Sequence, residues 1–211
     1  IWDGGGNDTL SAANQTQGTD LHLTSGIFSS IGSSIWNGNA WVRDNLVIAF
    51  NANIENATGR DYNDTIFGNT GGNVLRGGGG DDTMRGSEWG DHLIDGGDVM
   101  YGGSGNDFMG GHNGNDAMYG ESGNDSVIGD GGDDYLSGGS GDDWVVGDYT
   151  DGVGNGNDSL YGDDGADTME GGTGNDYMVG GTNVGWSDGL FWHLADNSRD
   201  VMYGQSGNDT L

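Results

Sequence analysis

An aspartate recurs at a fixed interval down most of this chain, and each recurrence carries the same neighbours. Residues 102–110 read GGSGNDFMG, and variants of this phrase place Asp64, Asn73, Asp82, Asp91, Asp98, Asp107, Asp116, Asp125, Asp134, Asp143, Asp158, Asp167, Asp176, Asp200 and Asp209 in one register. The step is nine residues except at Asp91–Asp98, Asp143–Asp158 and Asp176–Asp200. Numbering the Asp as position six gives the phrase G-G-x-G-x-D-x-U-x, with U apolar. A unit this short cannot bury an apolar face alone, so successive units must stack into a solenoid.

Each position has a physical task. The x-U-x portion predicts a short strand whose middle residue points opposite to its neighbours, so U faces the core. The U column reads Ile66, Leu75, Met84, Leu93, Met100, Met109, Met118, Val127, Leu136, Val145, Leu160, Met169, Met178, Met202 and Leu211, and it contains all 7 methionines of the chain. Periodicity explains these methionines, and soft-metal binding does not. Glycines at positions one, two and four are expected to turn through positive φ with their carbonyls directed inward. Calcium is a hard cation that takes six to eight oxygens, and such carbonyls together with carboxylates from neighbouring turns can supply them. The candidate calcium ligands are therefore the aspartates of the register: Asp64, Asp82, Asp91, Asp98, Asp107, Asp116, Asp125, Asp134, Asp143, Asp158, Asp167, Asp176, Asp200 and Asp209. Sharing between adjacent turns implies roughly ten ions.

Composition agrees. With 48 Gly in 211 residues, 32% hydrophobic content and a formal charge of −29, the metal-free chain lies in the range of sequences that stay disordered. Calcium would replace both the missing core and the missing disulfides, since Cys is absent. Pro is absent too, as suits strands that pair on both sides. The basic residues are five scattered arginines, Arg43, Arg60, Arg76, Arg85 and Arg199, so the clustered positive charge of a nucleic-acid surface is missing. No apolar run approaches a membrane span.

Other candidate chemistry is weak. His22, His92, His112 and His193 are too scattered for a zinc site, and solvated or strand-surface roles are expected. Paired carboxylates such as Asp81–Asp82, Asp133–Asp134 and Asp142–Asp143 are accounted for by the period as turn residues, whereas acid/base hydrolysis needs two carboxylates in different environments.

Residues 11–58 depart from the repeat. They hold Trp36, Trp41, the alternation Leu21-His22-Leu23 and the strand-like run Asn45–Phe50, and they are preceded by GGGNDTL at 4–10. The expected organisation is a β-rich cap over 1–58 that opens with a partial repeat, then a repeat region over 59–211 with insertions near 148–155 and 181–199. Solenoids need caps because an open end exposes core and strand edges.

The segments IWDGGGNDTL, LHLTSGIFSSIG, NLVIAFNANIENATGRDYNDTIFGN and GGGGDDTMRG resemble the C-terminal RTX (repeats-in-toxin) domain of serralysin-type secreted metalloproteases. The resemblance implies an all-β fold, a parallel β-roll with two nine-residue turns per coil, two parallel sheets and a calcium column along each edge. It also implies a secreted bacterial protein, with type I export before calcium-triggered folding. In that family the roll follows a zinc protease domain marked by H-E-x-x-H, a motif this sequence lacks, so the resemblance carries over the roll and not the protease. Departures are Asn73 for Asp, Tyr62 and Trp89 for the position-four Gly, and the short unit ending at Tyr101, so sites near residues 60–100 are expected to be weak or empty. The chain opens on a repeat fragment and stops at a U position, so both ends are expected to continue in a longer protein.

Two features exceed what calcium folding requires. Tyr101, Tyr119, Tyr135, Tyr161 and Tyr177 fall at outward positions of alternate units, and Phe108, Trp144 and Tyr203 at those of the others. The stretch 181–199 carries Trp186, Leu190, Phe191, Trp192 and Leu194. Two readings follow: a non-catalytic, calcium-folded module that stabilises a larger secreted enzyme, or an extracellular structural, filament-forming or adhesive protein. Contacts with a neighbouring catalytic domain or other copies of the chain would use the Tyr face and 181–199.

Overall fold

The computed structural model describes residues 5–12, 14–30, 35–36, 41–42, 46–49, 52–88, 95–148, 156–181, 183–184, 194–195, 201–203 and 210. Two eight-stranded parallel sheets dominate it. Sheet I runs in the order β1 (Thr9–Ser11), β7 (Asn56–Thr58), β9 (Val74–Gly79), β11 (Val99–Ser104), β13 (Ala117–Ser122), β15 (Tyr135–Ser140), β17 (Ser159–Asp164) and β19 (Tyr177–Val179). Sheet II runs β2 (Asp20–His22), β8 (Thr65–Phe67), β10 (Thr83–Arg85), β12 (Phe108–Asn113), β14 (Ser126–Gly131), β16 (Trp144–Val146), β18 (Thr168–Glu170) and β22 (Val201–Tyr203). The chain alternates between the sheets, and each strand pairs with the strand two units away, as the parallel β-roll requires. Three antiparallel pairs lie outside the sheets: β3 (Phe28–Ser29) with β6 (Leu46–Val47), β4 (Ile35–Trp36) with β5 (Trp41–Val42), and β20 (Asn183–Val184) with β21 (Leu194–Ala195).

The core is the U column. Ile66, Leu75, Met84, Met100, Met109, Met118, Val127, Leu136, Val145, Leu160 and Met169 are all 0% exposed and form one cluster between the sheets. Residue-for-residue pairing stacks them, as in Met100 beside Met118 and Leu136 beside Leu160. Leu93 and Leu211 lie outside the described residues, as does the side chain of Met202.

The first coil begins before the repeats become regular. Strand β1 heads sheet I beside β7, and β2 heads sheet II beside β8, with Leu10, Leu21, Ala57 and Ile54 continuing the core. The segment between β2 and β7 departs from the solenoid and contributes Leu23 and Ile48 to the same cluster.

The irregular steps share one solution. Asp82 and Asp98 precede β10 and β11, consecutive described strands on opposite sheets, and β10 pairs with β12 while β11 pairs with β9, so the alternation of the described strands runs directly from one to the other. Asp91 itself lies outside the described residues. Across the step from Asp143 to Asp158, β16 and β17 likewise fall on opposite sheets.

Glycine serves two different purposes, which corrects the expectation of positive φ at positions one, two and four. Positions two and four do turn through positive φ, as at Gly103 (113°) and Gly105 (124°). Position one does not. There a Cβ would collide with oxygen atoms, so glycine is required for space.

Candidate metal sites

The position-six side chains form two buried rows, one along each edge where the chain passes between sheets. Along the edge entering sheet II, the N–H of Asp64 donates to Oδ1 of Asp82 at 2.7 Å, Asp82 to Asp107 at 2.8 Å, Asp107 to Asp125 at 2.8 Å, Asp125 to Asp143 at 2.7 Å and Asp143 to Asp167 at 2.9 Å. Along the edge entering sheet I, Asn73 donates to Asp98 at 2.7 Å, Asp98 to Asp116 at 2.7 Å, Asp116 to Asp134 at 2.8 Å, Asp134 to Asp158 at 2.9 Å and Asp158 to Asp176 at 3.0 Å. Every one of these aspartates is at most 3% exposed. Asp200 and Asp209 lie outside the described residues.

One carboxylate oxygen is thereby fixed and the other is left over. The buried Oδ2 atoms of Asp82, Asp98, Asp107, Asp116, Asp125, Asp134, Asp143 and Asp158 have no hydrogen-bond partner. A buried charged oxygen without a partner costs several kcal/mol or more, so a repeated one points to a missing cation. The surroundings fit this. At Gly111 a Cβ would run into both Asp116 Oδ2 and the carbonyl of Gly129 one coil on; Gly77, Gly86, Gly102, Gly129 and Gly147 repeat the arrangement with their own Asp and the next carbonyl. Carboxylate and carbonyl oxygens from two coils thus converge on a space that only glycine leaves open. No three His, Asp or Glu side chains form a ready-made cluster among the described residues. The donors are mostly backbone, hard and oxygen-only, which suits calcium rather than zinc or a soft metal.

Electrostatics agree. Burial pushes the carboxyls up, against the opposing effect of the N–H bond, and nearby carboxylates add to the rise: Asp134 to about 9, Asp82 and Asp98 to about 8, Asp116, Asp143 and Asp158 to about 7, and Asp125 to about 6. Without a cation, the folded rows would hold protons near neutral pH.

The first coils differ. Asp64 Oδ2 accepts the N–H of Arg60 at 2.7 Å, and its Oδ1 accepts the N–H and hydroxyl of Thr19 at 2.5 and 2.8 Å, so its carboxylate is satisfied by protein. Thr19 therefore occupies the row position ahead of Asp64, and Glu55 does so ahead of Asn73, accepting the N–H of Asp8 at 2.8 Å. The aspartate pattern passed over both: Glu55 keeps the nine-residue step to Asp64 but is not an Asp, and the long segment between β2 and β7 breaks the count for Thr19.

A second pair of ladders was also not anticipated. On one edge Asn63, Asp81, Asn106, Asn124 and Asp142, all at position five, accept the N–H of the residue at the same position one coil on, at 2.8–3.0 Å. Asn115, Asp133 and Asn157 do the same on the other edge. The position-five and position-six ladders run in opposite directions. Paired Asp residues in the turns are therefore two hydrogen-bonding rows, one exposed and one buried.

The expected surface features resolve in part. Tyr101, Tyr119, Tyr135, Tyr161 and Tyr177 share sheet I with ring centroids 5.2, 5.6, 5.1 and 6.1 Å apart, and the Arg76 guanidinium lies 4.8 Å from the Tyr101 ring. His22 stacks on Phe67 at 4.7 Å, with Asp20 at 2.9 Å from Nε2 and Glu88 at 3.0 Å from Nδ1; both ring nitrogens are thus engaged. The side chains of 182–199 lie outside the described residues.

Comparison with known proteins meets this geometry. The model of the RTX calcium-binding nonapeptide repeat (4 copies) matches residues 58–88, 94–127, 119–148, 153–183 and 195–211, more than half of the chain. Relatives include the metallopeptidase AprA of Pseudomonas marginalis, 40% identical over 76 residues, and the serralysin of Proteus mirabilis, 39% identical over 75 residues. Each match covers 36% of this chain and 14% of the relative's length. The two rows of buried aspartates, the glycine-cleared oxygen cradles and the matched repeats together place the chain in the family of RTX calcium-binding nonapeptide repeat proteins.

Proposed function

We propose that this chain is a calcium-folded module of a secreted protein, non-catalytic by itself, which stabilises a larger extracellular protein of serralysin-like protease type. The observation that carries the reading is the repeated, buried, unpartnered Oδ2 in both aspartate rows. Asp82, Asp98, Asp107, Asp116, Asp125, Asp134, Asp143, Asp158, Asp167 and Asp176 would hold calcium together with turn carbonyls, and Asp91, Asp200 and Asp209 would extend the set. Asp64 is the weakest candidate, because Arg60 and Thr19 already satisfy it. In low cytosolic calcium, repulsion within a chain of formal charge −29 would keep it extended for type I export, and millimolar calcium outside would fold it. If each of roughly ten sites has Kd near 10⁻⁴ M, each adds about 1.4 kcal/mol at millimolar calcium, a sum comparable to a whole domain's stability.

The test is circular dichroism of the chain with calcium and with chelator. A β spectrum that appears only with calcium supports the reading, and one that persists in chelator at neutral pH overturns it. The relatives' names support the protease parent, and an H-E-x-x-H helix upstream in the full gene product would establish it.

The tyrosine ladder favours a second reading, an adhesive or filament-forming surface, since Tyr135 and Tyr177 are 40% and 44% exposed. Deleting Val184–Asn197 and, separately, replacing Tyr135 and Tyr177 by Ser would change sedimentation or surface adhesion on this reading and leave both unchanged on the first.

A further inference from the structure

One buried carboxylate belongs to neither row. Asp148 follows Gly147 at position two of the lengthened turn that ends at Asp158. In four regular turns that position faces outward: His112, Glu121, Asp130 and Asp163 adopt left-handed φ of 71–73° with their side chains at least partly exposed, whereas Ser87, before the other lengthened step, is buried but carries no charge. Asp148 does not adopt that conformation. Its side chain is folded inward to 1% exposure.

The inward carboxylate is clamped through Oδ2, and the backbone N–H of Gly156 also stabilises its charge. Thr173, one coil on, donates to Oδ2 through its N–H at 3.1 Å and its hydroxyl at 2.9 Å. Oδ1 is buried without a hydrogen-bond partner. The unpartnered Oδ2 atoms of Asp134 and Asp158 belong to the same edge, and the negative charge of Asp148 acts on both residues. No three acidic side chains form a ready-made cluster among the described residues, and like charges on one edge are stabilised together only when a cation neutralises them. A hard cation is the group that satisfies three such oxygens at once; a water molecule could donate to only two of them.

We propose that Asp148 is a further cation ligand, so that Asp134, Asp148 and Asp158 build a calcium site with a third carboxylate, distinct from the regular sites of the two rows. This rests on the calcium-binding reading. Because calcium affinity rises with the number of charged ligands and with site rigidity, this site fills first and nucleates the roll from its C-terminal half, despite the interruption of the repeat beside it.

Calcium titration of the wild-type chain and of Asp148→Asn and Asp163→Asn, followed by calorimetry and circular dichroism, tests the assignment. The amide oxygen introduced by Asp148→Asn still accepts both Thr173 hydrogen bonds, so the substitution removes charge and keeps the clamp. The expected result is a loss of roughly tenfold or more in the affinity of the tightest ion in Asp148→Asn, with Asp163→Asn matching wild type. Matching titrations for the two variants overturn the proposal while leaving the calcium-folded module intact; failure of the wild type to bind calcium overturns the module itself. If Asp148→Asn does not fold, wild-type protein loaded with europium(III) decides, because the ion's excitation energy shifts with the number of anionic ligands. A separate band component of higher ligand charge supports the site, and a single charge class overturns it.

Discussion

The backbone N–H of Asp98 donates to Oδ1 of Asp116 across 2.7 Å, so the carboxylate of one coil is aimed by the backbone of the coil before it. This couples neighbouring sites. An ion bound at Asp116 reaches a ligand whose orientation depends on Asp98 being in place, and Asp116 in turn presents its own N–H to Asp134. Cooperative calcium binding follows from this chain of bonds, without any long-range rearrangement.

Asp116→Ala is predicted to raise the calcium midpoint of folding and to lower its steepness. It removes a proposed ion ligand and strands the buried N–H of Asp98, a loss of about 1–3 kcal/mol for the unsatisfied donor alone. Asp116→Asn keeps an acceptor for Asp98 and is expected to fall between Ala and wild type. Asp163→Ala, outside both rows, should stay close to wild type. Equal midpoints for Asp116→Ala and Asp163→Ala would show that the position-six row does not carry binding.

Acid should partly substitute for calcium. The row carboxyls are raised from near 4 in the unfolded chain to about 6–9 in the metal-free roll, chiefly by burial. A raised folded pKa means that the protonated groups favour the roll fully below about pH 4 and that this contribution is lost as pH rises through about 6 to 9. In chelator the chain is therefore expected to gain β structure between pH 8 and pH 5, and with calcium present the midpoint should move to higher calcium as pH falls, because protons and ions compete for the same oxygens. Chelated samples with identical spectra at pH 5 and pH 8 would contradict this.

Much of the fold was legible because one period governs it. The nine-residue register placed the U residues in the core and the aspartates in the turns, since alternation within x-U-x leaves each residue one available direction. Spacing alone cannot show on which sheet a strand falls; among the described strands the alternation of β9, β10 and β11 does, while the unit at Asp91 lies outside the described residues. Thr19 and Glu55 were hidden for a different reason. Glu55 keeps the nine-residue step to Asp64 but without the Asp of the pattern, whereas Thr19 pairs across the long segment between β2 and β7 and places a hydroxyl where the pattern has a carboxylate. Asp148 occupies position two like Asp130 and Asp163, and its backbone conformation and burial, which spacing does not encode, set it apart.

The tyrosine ladder should contribute to stability after calcium is saturating. Tyr119 packs between Tyr101 and Tyr135, at 5.2 and 5.6 Å, and aromatic pairs add about 0.5–1.5 kcal/mol each beyond area burial. Tyr119→Ser is predicted to lower the stability read from urea unfolding at high calcium by about 1–3 kcal/mol in total, with little change in the calcium midpoint measured without urea. A variant that lost calcium affinity instead would place the ladder among the determinants of the ion sites.

The two roles of glycine separate in a matched pair of substitutions. Gly111 sits at position one without left-handed φ, where a Cβ would meet Asp116 Oδ2 and the Gly129 carbonyl, the oxygens proposed to hold the ion. Gly111→Ala must push those oxygens apart, so it is expected to abolish calcium-induced folding below roughly ten times the wild-type midpoint. Glu121 sits at position two with φ of 73° and an exposed side chain. Glu121→Gly relieves a left-handed conformation that costs about 1–2 kcal/mol for a residue with a Cβ and frees the unfolded chain by about 0.4–1 kcal/mol, so its midpoint should remain within about twofold of wild type. Calcium titrations of both variants read the difference directly. If Gly111→Ala folds at the wild-type midpoint, the space at position one is not where the ion is held.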